Sequence, residues 1–187
     1  MTQLKQLIEN YQPMNQQEEK DKENILKMMD TYQDVLTREN TVAHFSSSAF
    51  VVNKEKTKTL MIYHNIYNSW AWTGGHADGD DNLFEVAKRE LEEEAGISHF
   101  EPLTQDIFTL DILTVNGHVK KGKYVSSHVH LNTTYVFVAD EHQALTHKPD
   151  ENSGVKWIDL DKLEQECSEP HMMPVYNKII EKIKSIF

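Results

Sequence analysis

Apolar residues along this chain follow two rhythms, one of three- and four-residue steps and one of short β-prone runs. In "EEKDKENILKMMDTYQDVLTREN", residues 18 to 40, Ile25, Met28, Met29, Tyr32, Val35 and Leu36 recur at helical spacing, which predicts one apolar face of an amphipathic helix. Pro13 separates it from a short preceding helix over Leu4 to Ile8, since proline removes a backbone donor and clashes inside a helix. The face is expected to pack on the main domain; dimerisation or a lid over a site are the alternatives. At the other end, Val175, Ile179, Ile180, Ile183 and Ile186 in "VYNKIIEKIKSIF" predict a closing helix.

From about residue 41 the texture changes. "SSSAFVVN" and "KTLMIYHN", split by the polar "KEKTK", read as strand, turn and strand. "SWAWTGG" is extended and ends on Gly74 and Gly75, and "QDIFTLDILTV", "SSHVHLNTTYVFVA" and "GVKWIDL" are three further candidate strands. Gly117 and Gly122 mark a turn region in "NGHVKKGKY". Strands interleaved with a central and a terminal helix imply helices packed on a mixed sheet, an α/β class. We therefore divide the chain into an N-terminal helical extension, 1–40, and a main domain, 41–187.

The central helix is the unusual element. Asn82 is placed to cap it, Glu85 completes a capping-box pattern, and Asp80 and Asp81 suit the positive end of its dipole. Gly96 ends it, so the predicted span is about Leu83 to Ala95. At about 100° per residue, Phe84, Ala87, Leu91 and Ala95 form the core stripe. Glu90, Glu93 and Glu94 share an adjoining face and Glu92 points into solvent. Arg89, four residues before Glu93, is in position to pair with it and orient it.

Composition narrows the partners. A net charge of −11 over 187 residues opposes a stable nucleic-acid complex or binding to anionic lipid, both of which need excess Lys and Arg. The single cysteine, Cys167, rules out an internal disulfide framework and suits a reducing compartment. The N-terminal stretch has neither a signal-peptide core nor a spanning segment, so a cytoplasmic protein without membrane contact is expected.

Like charges at helical spacing repel, so Glu90, Glu93 and Glu94 cost energy unless a cation lies among them. Oxygen-only clusters suit hard divalent ions, whereas a solvated charged face is the bland reading of a Glu-rich helix. The glycine pair feeding into the capped helix favours the cation, because it lets backbone approach a ligand closely.

This stretch resembles the Nudix box: glycine, five residues, Glu, seven residues, Arg-Glu, an apolar residue, any residue, Glu-Glu, any residue, glycine, apolar. The chain reads Gly75, Asp81, then Arg89-Glu90-Leu91-Glu92-Glu93-Glu94-Ala95-Gly96-Ile97, with both spacings kept and Asp81 in place of the first Glu. The strand order from about residue 41 onward is similar to the family's α/β/α sandwich around a mixed sheet. The resemblance implies hydrolysis of a pyrophosphate bond between a nucleoside and another group, on a nucleotide-type small molecule, with Mg²⁺ or Mn²⁺ as cofactor. It implies Glu90, Glu93 and Glu94 as metal ligands, with the Gly74 carbonyl as a further one, and Arg89 as a residue that orients a carboxylate. The general base is Glu93 or a loop acid, Glu151 or its neighbour Asp150. Asp81 is expected to alter supporting contacts without abolishing activity. Many relatives dimerise, and the N-terminal helix is available for a homodimer.

Several aromatic residues are candidate substrate contacts. Trp70 and Trp72 alternate on an extended segment and share a face, so Trp72 is placed to stack on a base, although packing is the commoner role. His128 and His130 form an H-x-H pair on one strand face; zinc uses such pairs, but no third ligand is obviously spaced to complete a set. His76 lies beside the glycine pair, within reach of a phosphate. Two rival functions share the scaffold: an isomerase resembling isopentenyl diphosphate isomerases, which use a catalytic cysteine, and a non-catalytic nucleotide sensor. Cys167 is poorly positioned for the first, and the N-terminal forty residues cannot supply the second with a winged helix.

Overall fold

A computed structural model describes residues 2–120 and 122–186; Met1 and Phe187, the ends of the two expected ranges, lie outside the described residues. Two helices, α1 (Thr2–Asn10) and α2 (Gln16–Thr31), lead into the strands β1 (Ala43–Asn53), β2 (Lys58–His64), β3 (Ser69–Ala71) and β4 (Thr73–His76). The central helix α3 (Leu83–Ala95) follows, then β5 (Phe100–Pro102), β6 (Thr109–Val115), β7 (His118–Lys120), β8 (Lys123–Val125), β9 (His128–Ala139) and β10 (Asn152–Asp159). A 3-10 turn over Leu160–Lys162, the short α4 (Leu163–Glu166) and α5 (Met173–Ile186) end the fold.

The main sheet has the path β10-β2-β1-β9-β5, with β3 on β2, β4 on β1 and β6 on β9. Its central pair is parallel: β1 and β9 run in register from Ala43↔Val129 to Asn53↔Ala139. All of β1 is buried, as a strand covered on both faces must be. Phe45, Ala49 and Val51 point into one apolar cluster with α1, α2 and α3. Phe50 and Val52 point into a second cluster with α4 and α5. The expected α/β/α layering is thus observed.

The N-terminal helices belong to the first layer. Leu4, Ile8, Ile25 and Met29 are buried in the same cluster as Phe45 and Leu91. A buried ion network adds to the apolar contact: Lys178 Nζ of α5 lies 3.0 Å from Glu18 Oε1 and 2.6 Å from Asp111 Oδ1. The Tyr11 hydroxyl donates to Glu18 Oε2 at 2.7 Å.

The structure departs locally from the sequence reading in three places. Helix α2 stops at Thr31, and Tyr32 is already extended. Val35 stays buried, but its carbonyl accepts from Phe45 N–H at 2.7 Å and that of Leu36 from Gly79 N–H at 2.8 Å. Backbone groups spent on those partners cannot continue a helix. The buried stripe of α3 is broader than expected: Leu83 and Val86 are buried, and Phe84 sits at the rim against Tyr135 and Phe137. The turn region near Gly117 is a two-stranded ribbon, β7 with β8. Among the described residues no helix is long and apolar enough to cross a membrane.

Candidate active site

Helix α3 carries the acids to the sheet. Asn82 Oδ1 accepts from Glu85 N–H at 3.4 Å, but the reciprocal half of the capping box is taken otherwise. Asn82 N–H donates to Asp80 Oδ1 at 3.0 Å, and the Glu85 carboxylate pairs with Lys88. Asp81 is exposed beside this cap. At the far end, Gly96 adopts φ 68°, the left-handed cap that glycine accepts without strain. A Cβ there would also lie 2.0 Å from Thr146 Oγ1, so the glycine admits the loop that follows β9. That loop is docked by Thr146 N–H on the Ala95 carbonyl at 3.1 Å. Asn152, fully buried, donates from Nδ2 to the Glu94 carbonyl at 3.1 Å.

This docking brings together acids far apart in sequence. One carboxylate oxygen from each of Glu90, Glu94 and Glu151 lies within 4.8 Å of the others. Glu90 packs on Gly75: a Cβ there would fall 2.3 Å from its carboxyl carbon. Glu94 is buried, and its Oε2 accepts from Gly74 N–H at 2.9 Å. Burial holds the Glu94 carboxyl up at about 8, against the single hydrogen bond from Gly74. Burial, then the charge of Glu93, raises Glu90 as well.

Two expected partners differ. Glu93 lies outside this trio: it is exposed, and its Oε2 is 3.0 Å from Lys148 Nζ, which also meets Glu151 Oε2 at 3.1 Å. Arg89 does not orient Glu93. Its Nη1 is 3.5 Å from Asp80 Oδ2, because the residue points back over the entry to α3 and Lys148 already holds the glutamate. Asp150 is exposed and outside the trio.

The other face of β4 borders a cavity of about 320 Å³ whose wall includes Trp72, Gly74, Gly75, His76, His130 and Tyr176. Trp72 is mostly buried and meets Tyr176 edge-on, so packing is its main role and only its rim reaches the cavity. Trp70 packs on the same apolar cluster, under Lys156. Cys167 is buried in that cluster.

His128 and His130 do share a face, with their Nε2 atoms 3.3 Å apart. The strand register adds two further imidazoles. His44 stands opposite His130 across β1–β9, and His76 stands opposite Ser46, two residues along the same face of β1. Ring nitrogens of His44, His76 and His130 lie within 4.8 Å of one another. Burial first, then the neighbouring imidazoles, pushes His130 down to about 2. Burial also lowers His44.

Sequence reasoning missed Lys148, Asn152 and His44. Lys148 and Asn152 flank Glu151 in "HKPDENSG", but only α3 docking shows what they hold. His44 begins β1 in "AHFSSS", with nothing local to tie it to His130.

The NUDIX domain family model matches residues 43–181. The chain belongs to the NUDIX family. Solved structures share its fold. The Ap4A hydrolase of C. elegans, in a binary complex, is 17% identical with TM-score 0.52, covering 75% of this chain and 95% of its own. The dihydroneopterin triphosphate pyrophosphohydrolase of E. coli is 13% identical with TM-score 0.55, covering 74% and 92%. The NUDIX domain of Shewanella oneidensis NrtR, complexed with ADP ribose, is 16% identical with TM-score 0.53, covering 86% and 96%. No curated protein matches the chain by sequence.

Proposed function

We propose that this protein is a divalent-cation-dependent hydrolase of a nucleoside diphosphate linked to a second group. The observation that carries the reading is the convergence of Glu90, Glu94 and Glu151 against the glycine pair that also borders the cavity. The donor set suits a hard cation: it is oxygen-only, and the burial that raises Glu90 and Glu94 is a cost that a nearby dication reverses. Mg²⁺ or Mn²⁺ held by Glu90, Glu94 and Glu151, with the Gly74 carbonyl, would neutralise the diphosphate and acidify the attacking water.

The chain's own residues then divide the work. Glu93, exposed and anchored by Lys148, accepts the proton of the attacking water. Asn152 keeps Glu151 on α3 by tying the loop to the Glu94 carbonyl. Arg89, paired with Asp80, steadies the entry to α3 and the glycine pair before it. The cavity wall of Trp72, Tyr67 and His76 receives the nucleoside side of the substrate, with the exposed Tyr67 ring available for a base.

A nucleotide-type substrate accords with the Ap4A and ADP ribose named for two proteins of like fold. Cys167, packed in the apolar core, gives the isomerase reading no nucleophile. The test is a panel of ADP-ribose, dinucleoside polyphosphates, nucleotide sugars and nucleoside triphosphates, scored by product mass with added Mg²⁺ or Mn²⁺. Two phosphorylated products from at least one substrate, lost on chelation with EDTA, are expected. Binding without products, or turnover unaffected by EDTA, overturns the reading.

A further inference from the structure

We propose that His44, His76 and His130 hold a second divalent ion, of the zinc class, on the cavity face of the sheet and separate from the acidic cluster. Three adjacent strands present these residues to one side: His44 on β1, His76 on β4 and His130 on β9. Ring centroids around His44 lie 5.2 Å from His76, 4.8 Å from His128 and 5.1 Å from His130.

The hydrogen bonds of His44 leave the nitrogen that a metal takes. His44 is only 4% exposed, and its Nδ1 is 2.8 Å from the Asn40 carbonyl. That partner accepts only, so Nδ1 carries the proton and Nε2 keeps its lone pair. Among the described residues Nε2 is buried with no hydrogen-bond partner. An orphaned buried acceptor is destabilising, and a metal ion among the rings satisfies it. His128 is fixed in the same way, with Nδ1 2.8 Å from the Ser126 carbonyl, but its Nε2 meets His130 Nε2 at 3.3 Å, so it backs His130 and is not a ligand. Imidazoles fixed through one nitrogen to a carbonyl, with the other turned to a shared centre, are the usual outer-shell arrangement of histidine metal sites.

The chemistry selects the ion. Neutral imidazole suits zinc, copper, iron and nickel and not magnesium, and burial keeps His44 and His130 neutral. A tetrahedral ion with bonds of about 2.0–2.1 Å places ligand nitrogens about 3.3 Å apart, against ring nitrogens that lie within 4.8 Å of one another without it. Three neutral ligands leave the ion's full charge and a fourth position, beside the cavity that His76 and His130 line. That position takes an anionic oxygen of the substrate, in a chain whose net charge is −11. Three of the four histidines lie outside the box from Gly75 to Ile97, and His76 fills one of its unspecified positions.

The test uses the full chain, stripped with EDTA and titrated with Co²⁺, followed by visible absorption and calorimetry. Intense visible bands of tetrahedral type, saturating at one equivalent and displaced by Zn²⁺, are expected in the wild type and in Glu94→Gln. His130→Asn and His76→Asn should lose the bands and weaken binding by more than about 100-fold, since even outer-shell changes cost about 10–100-fold. His76 is partly exposed, so its variant tests the site if His130→Asn fails to fold. Absent bands in the wild type, bands kept in the histidine variants, or bands lost in Glu94→Gln overturn the proposal. Because Glu94→Gln disables only the acidic cluster, failure of the hydrolase reading and failure of this one are separable.

Discussion

Gly75 leaves open the space that the Glu90 carboxylate fills: a Cβ there would stand 2.3 Å from Glu90 Cδ. The glycine is therefore required by a side chain arriving from α3, and not by a turn. Gly75→Ala should push Glu90 out of the trio and lower turnover by about 100-fold, the usual cost of an ångström-scale misplacement. Steady-state kinetics beside Mn²⁺ binding by electron paramagnetic resonance checks this. Unchanged values for both would show that Glu90 has another place to go.

Glu94 links stability to pH. Its folded carboxyl titrates at about 8, against 4.5 unfolded, because burial penalises the charge. Between those values the folded state binds more protons than the unfolded one, so stability falls as pH rises. Metal-free protein should lose on the order of a few kcal/mol from about pH 5 to pH 8 through this group. Denaturant melts at stepped pH should show the decline, and Glu94→Gln should flatten it. A decline of equal slope in the variant would assign it elsewhere.

Glu151 and Asp150 are neighbours with different surroundings. Glu151 joins the acidic trio, while Asp150 is exposed in the loop. Glu151→Gln should weaken Mn²⁺ binding by at least about 10-fold, as expected when a site loses a charged ligand. Asp150→Asn should change it by less than about 2-fold, as for a screened surface charge. Equal effects would mean the trio is held together by net charge alone.

Asn152 acts at one remove from the acids. Asn152→Ala deletes the donor to the Glu94 carbonyl and the Oδ1 acceptor facing Lys148 N–H at 3.3 Å. Stranding buried partners should cost about 1–3 kcal/mol each. If the residue positions Glu151, kcat should fall more than KM rises, and Asn152→Asp should restore neither.

Lys178 holds the N-terminal helices to α5. Lys178→Met leaves Glu18 and Asp111 buried without their cation, which should destabilise the fold by about 3–5 kcal/mol. Protease sensitivity should rise first between α1 and β1. A cut pattern identical to wild type would show that apolar packing alone anchors α1 and α2.

Amino-acid order alone determined the local elements of this protein. The capped span of α3, the glycine pair ahead of it, the strand runs and the closing helix are all written in periodicity and end signals within a few residues. The box itself was legible because a helix sets the spacing of Glu90, Glu93 and Glu94 without help from the rest of the chain. Weak local signals were lost: β5 is three residues long, too short for any period, and the end of α2 depended on partners near Phe45 and Gly79. Only the tertiary structure decided which acids meet, since Glu151 reaches Glu94 through a loop docked on Gly96. It also decided that Lys148 and not Arg89 holds Glu93, and that four histidines from three strands face one another. Those relations depend on sheet register and loop docking across dozens of residues, where one residue of slip would turn each histidine to the opposite face.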